Sequence, residues 1–209
     1  MRARPSITVV CAAALVFLGG CATTSDPDTA SVPASVTEGK KDMPPPVEAI
    51  ADDPAAPVSL TLDGVTAPTD PVATDASGTL LPPQDVSRLG WWVDSAMPGG
   101  GSGAIVVTGH VDDVDQGDGF AARFADVREG DELTVSTGDG RAREYRVDRL
   151  LSVGKEGNLP LDEINRLDGP ETLLLVTCGG EFVGPPLGYA NNDFVFAVPT
   201  GPVAEVPAP

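Results

Sequence analysis

Two side chains in this sequence are suited to nucleophilic chemistry. Cys178 ends the apolar run LLLVTC and is followed by two glycines. His110, the only histidine, also follows an apolar run and lies 68 residues earlier. A thiol has an unperturbed pKa of about 8.5, so at neutral pH it needs a base or a nearby positive charge to become a nucleophile. An imidazole supplies either, and the two residues therefore indicate a cysteine nucleophile assisted by histidine.

The segments that must position this pair are short and β-favouring. Apolar residues alternate with polar ones or form short β-branched runs between Gly- and Pro-rich turns. These runs are residues 58–62, 105–108, 133–135, 145–147, 173–176 and 194–198, and helical turns are expected only near 119–127 and 162–167. The pattern predicts an all-β barrel or sandwich with one or two short helices.

The N-terminus is typical of an export signal. Arg2 and Arg4 precede an apolar run of 14 residues, 7–20, which is shorter than the roughly 20 residues that a membrane-spanning helix needs. The run ends in LGGC, which resembles a lipobox, so we expect residues 1–20 to be a lipoprotein signal peptide and Cys21 to be lipidated. A general secretory signal and an uncleaved anchor are the alternatives. The prediction places the protein outside the cytoplasm, lipid-anchored to the outer face of the cytoplasmic membrane.

Cysteine usage then isolates one thiol. Cys11 lies in the signal and Cys21 would carry lipid, which leaves Cys178 alone in the mature chain. Exported proteins usually pair their cysteines in disulfides. From the residues alone, Cys178 is either a buried inert thiol or one retained for its reactivity.

Composition limits the possible partners. The chain has 209 residues, of which 41% are hydrophobic, and this suits one globular domain. Loss of the signal removes two of 13 basic residues and none of 31 acidic ones, leaving a formal net charge of −20. Nucleic-acid binding depends on Lys and Arg contacts to phosphate, so we expect no nucleic-acid partner and no electrostatic adhesion to anionic lipid.

Composition also predicts the domain boundaries. Residues 21–56 are rich in Pro, Ala and Asp without an apolar period, and indicate a disordered tether that begins at the lipidated cysteine. Residues 57–199 carry the strand patterns and form the expected domain. Residues 200–209 are again rich in Pro and Ala and are expected to be a disordered tail.

Several motifs together resemble the sortases, the cysteine transpeptidases of bacterial cell surfaces, and more narrowly the actinobacterial class E/F. They are LPPQDVSRLGWW at 81–92, GHVD at 109–112, VREGDELTV at 127–135, LLLVTCGGEF at 173–182 and GYANNDFVFA at 188–197. The resemblance implies a closed eight-stranded β-barrel. It also implies that Cys178 attacks an LPXTG-like sorting signal to form a thioester, which an amine from a cell-wall precursor or a protein resolves, with His110 as the acid and base. No cofactor is implied.

The sequence departs from this family at one position. The family has an arginine on the strand after the cysteine, but Ala190 stands there, and neither Lys nor Arg occurs after Cys178. An arginine provides two directed, charge-assisted donors that alanine lacks. Three readings remain: the amides of Asn191 or Asn192 replace it, Arg123 or Arg166 reaches the site, or the domain binds peptides without turnover. Thr177 is a further candidate contact to the oxyanion or the substrate.

Three smaller features of the sequence give weaker indications of function. Asp112 is either an orienting partner of His110 or a solvated turn acid, and Trp91 and Trp92 are expected in the barrel core or rim rather than in a peptide groove. The acidic loop 112–118 has a faint likeness to a calcium loop but lacks the closing glutamate, so we expect no metal site.

Three functions from different classes follow. The first is a lipid-tethered sortase-type transpeptidase, and the second is a non-catalytic peptide-binding lipoprotein on the same fold. The third, another exported cysteine hydrolase, is disfavoured because papain-like wall peptidases place Cys before His and L,D-transpeptidases cluster the two locally.

Overall fold

The computed structural model describes residues 44–205. Within that range the chain forms twelve strands, a short 3₁₀ helix and one short α-helix, α1. The strands are β1 (Val47–Glu48), β2 (Pro57–Leu62), β3 (Val65–Ala73), β4 (Leu89–Trp92), β5 (Ala104–Thr108), β6 (Asp112–Asp113), β7 (Gly117–Asp118), β8 (Glu132–Thr137), β9 (Arg141–Gly154), β10 (Thr172–Gly184), β11 (Gly188–Pro199) and β12 (Ala204–Glu205). The helices are Phe120–Ala125 (3₁₀) and α1, Leu161–Ile164.

Eight of these strands close into a barrel. They follow the order β3, β2, β8, β9, β11, β10, β5, β4, and β4 pairs back onto β3. The β5–β10 and β3–β4 pairs are parallel and the others are antiparallel. This arrangement confirms the expected closed eight-stranded barrel and excludes the sandwich. None of the helices within 44–205 is long and apolar enough to cross a membrane.

The central strands bury both of their faces because the barrel has an apolar interior and a second apolar layer outside. Ile105, Val107 and Leu175 belong to the interior cluster. Val106 and Phe194 point to the opposite face and belong to a smaller cluster. A strand buried on both faces appears as a continuous apolar run, as LLLV at 173–176 does. The outer layer of β5, β10 and β11 is where the candidate site lies.

Short strand pairings extend beyond both predicted boundaries of the domain. The expected tether extends to residue 56, yet Val47 and Glu48 pair with β3 and Ala56 is buried in the core. The expected tail begins at 200, yet Ala204 and Glu205 pair with β9. Pro- and Ala-rich composition does not prevent two-residue pairings, since each requires only one or two free backbone groups. The predicted signal peptide, the lipidation site Cys21 and most of the tether lie outside the described residues.

Candidate active site

The parallel ladder between β5 and β10 ends two residues before both the histidine and the cysteine. Thr108 pairs with Val176 at the last position of this ladder. The N–H of Gly109 then donates to the carbonyl of Val176 at 3.2 Å. Two residues further along the chain come His110, in the loop after β5, and Cys178, within β10. The register therefore joins residues that are 68 positions apart in sequence.

Two contacts hold the backbone in place around His110 and Cys178. The hydroxyl of Thr177 donates to the carbonyl of Gly109 at 2.8 Å from a buried position. Thr177 was predicted as an oxyanion or substrate contact, but its side chain is committed to this link and faces away from Cys178, since neighbouring residues of a strand face opposite sides. Gly119 packs against the carbonyl of His110, where an added Cβ would lie 2.2 Å from the oxygen. Only glycine permits this close approach.

The imidazole of His110 is partly buried, and its Nε2 has no hydrogen-bond partner among the described residues. Burial lowers the pKa of His110 because it penalises the charged ring, and the nearby carboxylates of Asp113 and Asp112 only partly oppose that effect. The neutral ring is therefore favoured at neutral pH. Nε2 is free to exchange a proton with a reacting group.

Asp112 is engaged by a tyrosine. The hydroxyl of Tyr189, on β11, donates to the carboxylate of Asp112 at 2.6 Å. This hydrogen bond, with some burial and the negative charge of Asp112, raises the pKa of Tyr189 to about 12. Phe182 packs edge-on against the Tyr189 ring at 5.3 Å between centroids. The hydrogen bond between Tyr189 and Asp112 links β11 to the segment that follows His110.

The two asparagines offered as arginine substitutes face opposite ways. Asn192 is the direct cross-strand partner of Cys178 and therefore shares its face of the sheet. Asn191 pairs with Gly179 instead, and its amide donates to the hydroxyl of Ser152 at 2.9 Å. The geometry thus brings Asn192 to the thiol and leaves Asn191 on the other face.

Neither arginine offered as a substitute contacts the thiol. Arg166 donates to the carbonyl of Asp168 and to the hydroxyl of Thr172, the first residue of β10 and six positions before Cys178. Arg123 lies over the ring of Phe120, with its guanidinium carbon 6.0 Å from the centroid.

The cation beside the thiol is a residue that the sequence did not indicate. Nζ of Lys155 lies 3.6 Å from Sγ of Cys178. The two residues are 23 positions apart, with Lys155 in the turn after β9 and Cys178 on β10, and the only available signal was that Lys155 is the one lysine in the region with strand patterns.

A groove runs along the outer apolar layer and reaches the site. Its volume is about 570 Å³, and its lining includes Val176, two residues before Cys178, and Asn192, the cross-strand partner of Cys178. All of the lining residues are uncharged: Thr74, Gly78, Thr79, Leu80, Trp92, Val106, Thr108, Leu159, Leu161, Ile164, Asn165, Val176, Asn192 and Phe194. Of the two tryptophans, Trp91 is buried in the core, whereas Trp92 lines the groove and its buried Nε1 has no partner among residues 44–205. The prediction that both belong to the core or rim therefore holds only for Trp91.

The acidic loop does not assemble a metal site. Among the described residues, no group of three or more His, Cys, Asp or Glu side chains is placed to hold a metal ion. Asp113 instead accepts hydrogen bonds from the N–H groups of Asp115 and Gln116, both at 3.0 Å.

Comparison with known proteins gives the same fold. The family model for the sortase domain matches residues 64–200. Sortase C-1 from Actinomyces oris is 20% identical over 68% of this chain and 72% of its own, with a TM-score of 0.53. Sortase C1 from Streptococcus agalactiae is 19% identical over 72% and 71%, with a TM-score of 0.54. A lid mutant of sortase A from Corynebacterium diphtheriae is 21% identical over 69% and 71%, with a TM-score of 0.50.

No curated protein is significantly similar in sequence to this chain. The structural matches are distant in sequence and show the fold, whereas the family model covers well over half of the chain. The chain therefore belongs to the sortase family, whose members are cysteine transpeptidases.

Proposed function

We propose that this protein is a transpeptidase that cleaves an LPXTG-like sorting signal through a thioester on Cys178 and transfers the acyl group to an amine. One observation carries the proposal. The β5–β10 ladder ends at Thr108 and Val176, two residues before His110 and Cys178, and Val176 lines an apolar groove.

The reaction begins with the sulfur. The Cys178 thiolate, whose proton has passed to His110, attacks the scissile carbonyl carbon and forms a tetrahedral oxyanion. The oxyanion collapses as the C–N bond breaks, and His110 gives its proton to the leaving amine. A second amine then loses a proton to His110 and attacks the thioester, and the sulfur leaves as thiolate. The unpartnered Nε2 of His110 is suited to both transfers.

The groove supports an uncharged, partly apolar peptide segment as substrate. Its walls carry aliphatic and aromatic side chains such as Leu80, Trp92 and Phe194, and no charged side chain lines it within the described chain. The unpartnered indole N–H of Trp92 is a donor for a substrate carbonyl. Leucine and proline in a sorting signal match this surface.

The finer assignments rest on the sequence. We assign the chain to class E/F from its five motifs, and we take Ala190 to occupy the position where that class has arginine. We also propose that lipidated Cys21 holds the enzyme on the outer face of the cytoplasmic membrane. Metabolic labelling with palmitate should mark the protein and be lost in Cys21→Ser, and labelling that persists in the variant would refute the anchor.

The enzymatic proposal is tested by trapping the thioester. The purified protein is mixed with an LPXTG-type peptide, and intact-mass spectrometry should show an acyl adduct on Cys178 that hydroxylamine converts into a peptide hydroxamate. Cys178→Ala is the control and should form neither product. Absence of both products in the parent, with peptide binding equal in parent and variant, would favour a non-catalytic peptide-binding module.

A further inference from the structure

Lys155 is held next to the site by the backbone. It follows the last residue of β9, and its N–H donates to the carbonyl of Ala190 at 2.9 Å. The β9–β11 register pairs Gly154 with Asn191 and Val153 with Asn192, so Lys155 lies opposite Ala190. Lys155 itself lies in the turn after β9, and its side chain reaches the face of the sheet that carries Cys178, as the contact of its Nζ with the sulfur shows.

The ammonium group makes two contacts. Nζ lies 3.6 Å from Sγ of Cys178 and donates to the carbonyl of Leu187 at 2.9 Å. Lys155 is half-buried, as is Cys178. Lysine has three N–H donors, so one donor remains beyond these two contacts. The Leu187 carbonyl holds the head group of this flexible side chain beside the sulfur.

Lys155 is the only lysine in residues 44–205. Two arginines of the barrel form ion pairs with other residues instead. Arg143 pairs with buried Glu171, and Arg149 pairs with Glu163. Among the hydrogen bonds of the described chain, Lys155 makes the only one from a basic side chain to Cys178.

Three further titratable groups belong to the elements around Cys178. His110 follows β5, Tyr189 lies on β11, and Asp112 of β6 accepts the hydrogen bond of Tyr189. Burial lowers the pKa of His110, so its ring carries little positive charge at neutral pH. The raised pKa of Tyr189, about 12, keeps the phenol neutral. Neither group therefore supplies a standing positive charge, and a cation beside the sulfur would stabilise the thiolate further once its proton has passed to His110.

We propose that Lys155 is a catalytic residue of this site, whose ammonium stabilises the Cys178 thiolate before it attacks and again when it leaves the thioester. The inference deepens the proposed function and rests on it. A positive charge within hydrogen-bond reach of sulfur favours the thiolate. Ala190 carries only a methyl group across the ladder from Lys155, so the charge is supplied by the end of β9 rather than by β11.

The charge also protects the intermediate. A neutral amine at this distance would attack the thioester, forming an isopeptide bond to Lys155 with the sulfur leaving as thiolate. An ammonium has no lone pair and cannot do so.

The test compares Lys155→Met, which keeps the side-chain length without the charge, with Lys155→Arg, which keeps the charge. Thiol alkylation by iodoacetamide is measured in the full protein at pH 7 and at pH 9.5. Arg146→Met is the matched control, since it removes an exposed charge from β9, the strand that Lys155 follows. Circular dichroism confirms that each variant is folded.

At pH 7 we expect Lys155→Met to slow alkylation by about tenfold and Lys155→Arg to remain within about threefold of the parent, because the thiolate is the reactive form. At pH 9.5 an unassisted thiol of pKa about 8.5 is mostly ionised, so the parent and Lys155→Met rates should converge. Arg146→Met should match the parent at both values of pH. In the peptide reaction, Lys155→Met should lower kcat by about tenfold or more with KM little changed, as loss of a charge acting on the reacting atoms would.

Unchanged alkylation at pH 7 in Lys155→Met, a slow Lys155→Arg, or an acyl adduct on Lys155 of the parent would each overturn the inference. Alkylation needs no peptide, so it separates the two proposals. A parent that reacts with iodoacetamide in the expected pattern but forms no thioester refutes the proposed function and leaves the thiolate contact intact.

Discussion

His110 combines burial with an unpartnered nitrogen, and this has a consequence for stability. Protonation of a buried ring costs free energy in the folded state that it does not cost in the unfolded chain. The folded pKa of His110 lies below the ordinary value of 6.5. The native state therefore loses stability relative to the unfolded state as the pH falls below 6.5 and toward the folded pKa.

Replacing His110 by Asn should remove that loss. Thermal unfolding of the parent and His110→Asn is compared at pH 7.5 and pH 5.5, and Tm of the parent should fall further than that of the variant. His110 is the only histidine, so no other side chain with an ordinary pKa titrates in this interval. An equal fall in both proteins would contradict the burial effect.

Tyr189 offers a spectroscopic test of the contact beside His110. The chain has two tyrosines, and burial raises the pKa of the other, Tyr145, even further. Absorbance at 295 nm should show little tyrosinate in the folded parent at pH 11. In Asp112→Asn, Tyr189 loses its charged acceptor, so its titration should move down toward the ordinary value of 10. An unmoved titration would show that Asp112 does not hold the phenol.

The reactive pair was predictable from the sequence because each residue ends its own apolar run, which is local information. The contact between Lys155 and Cys178 was not predictable, since it depends on pairing along β9, β11 and β10 in turn. The same reasoning explains Asn191 and Asn192. Their positions in the sequence do not say which of them faces the sulfur. That depends on the strand register, and a shift of one residue would exchange the two faces of the strand.

At the scale of elements, one buried carboxylate joins the start of β10 to its neighbours. Just before β10, Glu171 accepts hydrogen bonds from the N–H groups of Gly99 and Gly101 and from the hydroxyl of Tyr145 at 2.7 Å. It also pairs with Arg143 at 3.2 Å, and only 2% of its side chain is exposed. Burial alone would raise the pKa of Glu171, but these hydrogen bonds together lower it below 4.5.

Glu171→Gln should therefore destabilise the barrel strongly. The change leaves the guanidinium of Arg143 buried without its counter-charge, and breaking such a pair costs roughly 3 kcal/mol. Glu132→Gln, in the exposed pair with Arg146, is the matched control and should cost less than about 1 kcal/mol. Urea unfolding at pH 7 measures both changes. Similar losses in the two variants would contradict the role of the buried network.

Strand prediction failed where local rules conflict with tertiary pairing. β3 was not predicted because Pro68 and Pro71 lack ladder donors. It tolerates them because it changes partner between them: residues 65–68 pair with β2 and residues 69–72 with β4. The alternation in β2 fails at Val58, which is 47% exposed, because an irregularity between Pro57 and Ser59 shifts the register with β8.

The whole molecule carries a formal net charge of −18. Like charges on a compact surface repel, and salt screens the repulsion over a Debye length of about 10 Å at 0.1 M. We expect Tm at pH 7 to rise as NaCl increases from 20 mM to 0.5 M. The same series near the sequence pI of about 4.1 serves as control and should show little rise. A flat or falling Tm at pH 7 would show that repulsion is not a significant cost.

The parallel β5–β10 ladder has a further consequence for biosynthesis. Parallel neighbours cannot be joined by a tight turn, and here everything from β6 to the start of β10 must be made before the two strands can meet. Closing so long a loop is slow, because the entropy of the loop is lost before the contacts between the two strands form. A nascent chain therefore keeps its sulfur and its imidazole apart until β10 has been made. We therefore expect the thiol of Cys178 to become a strong nucleophile only once the barrel is complete, so that it does not react with other proteins during biosynthesis.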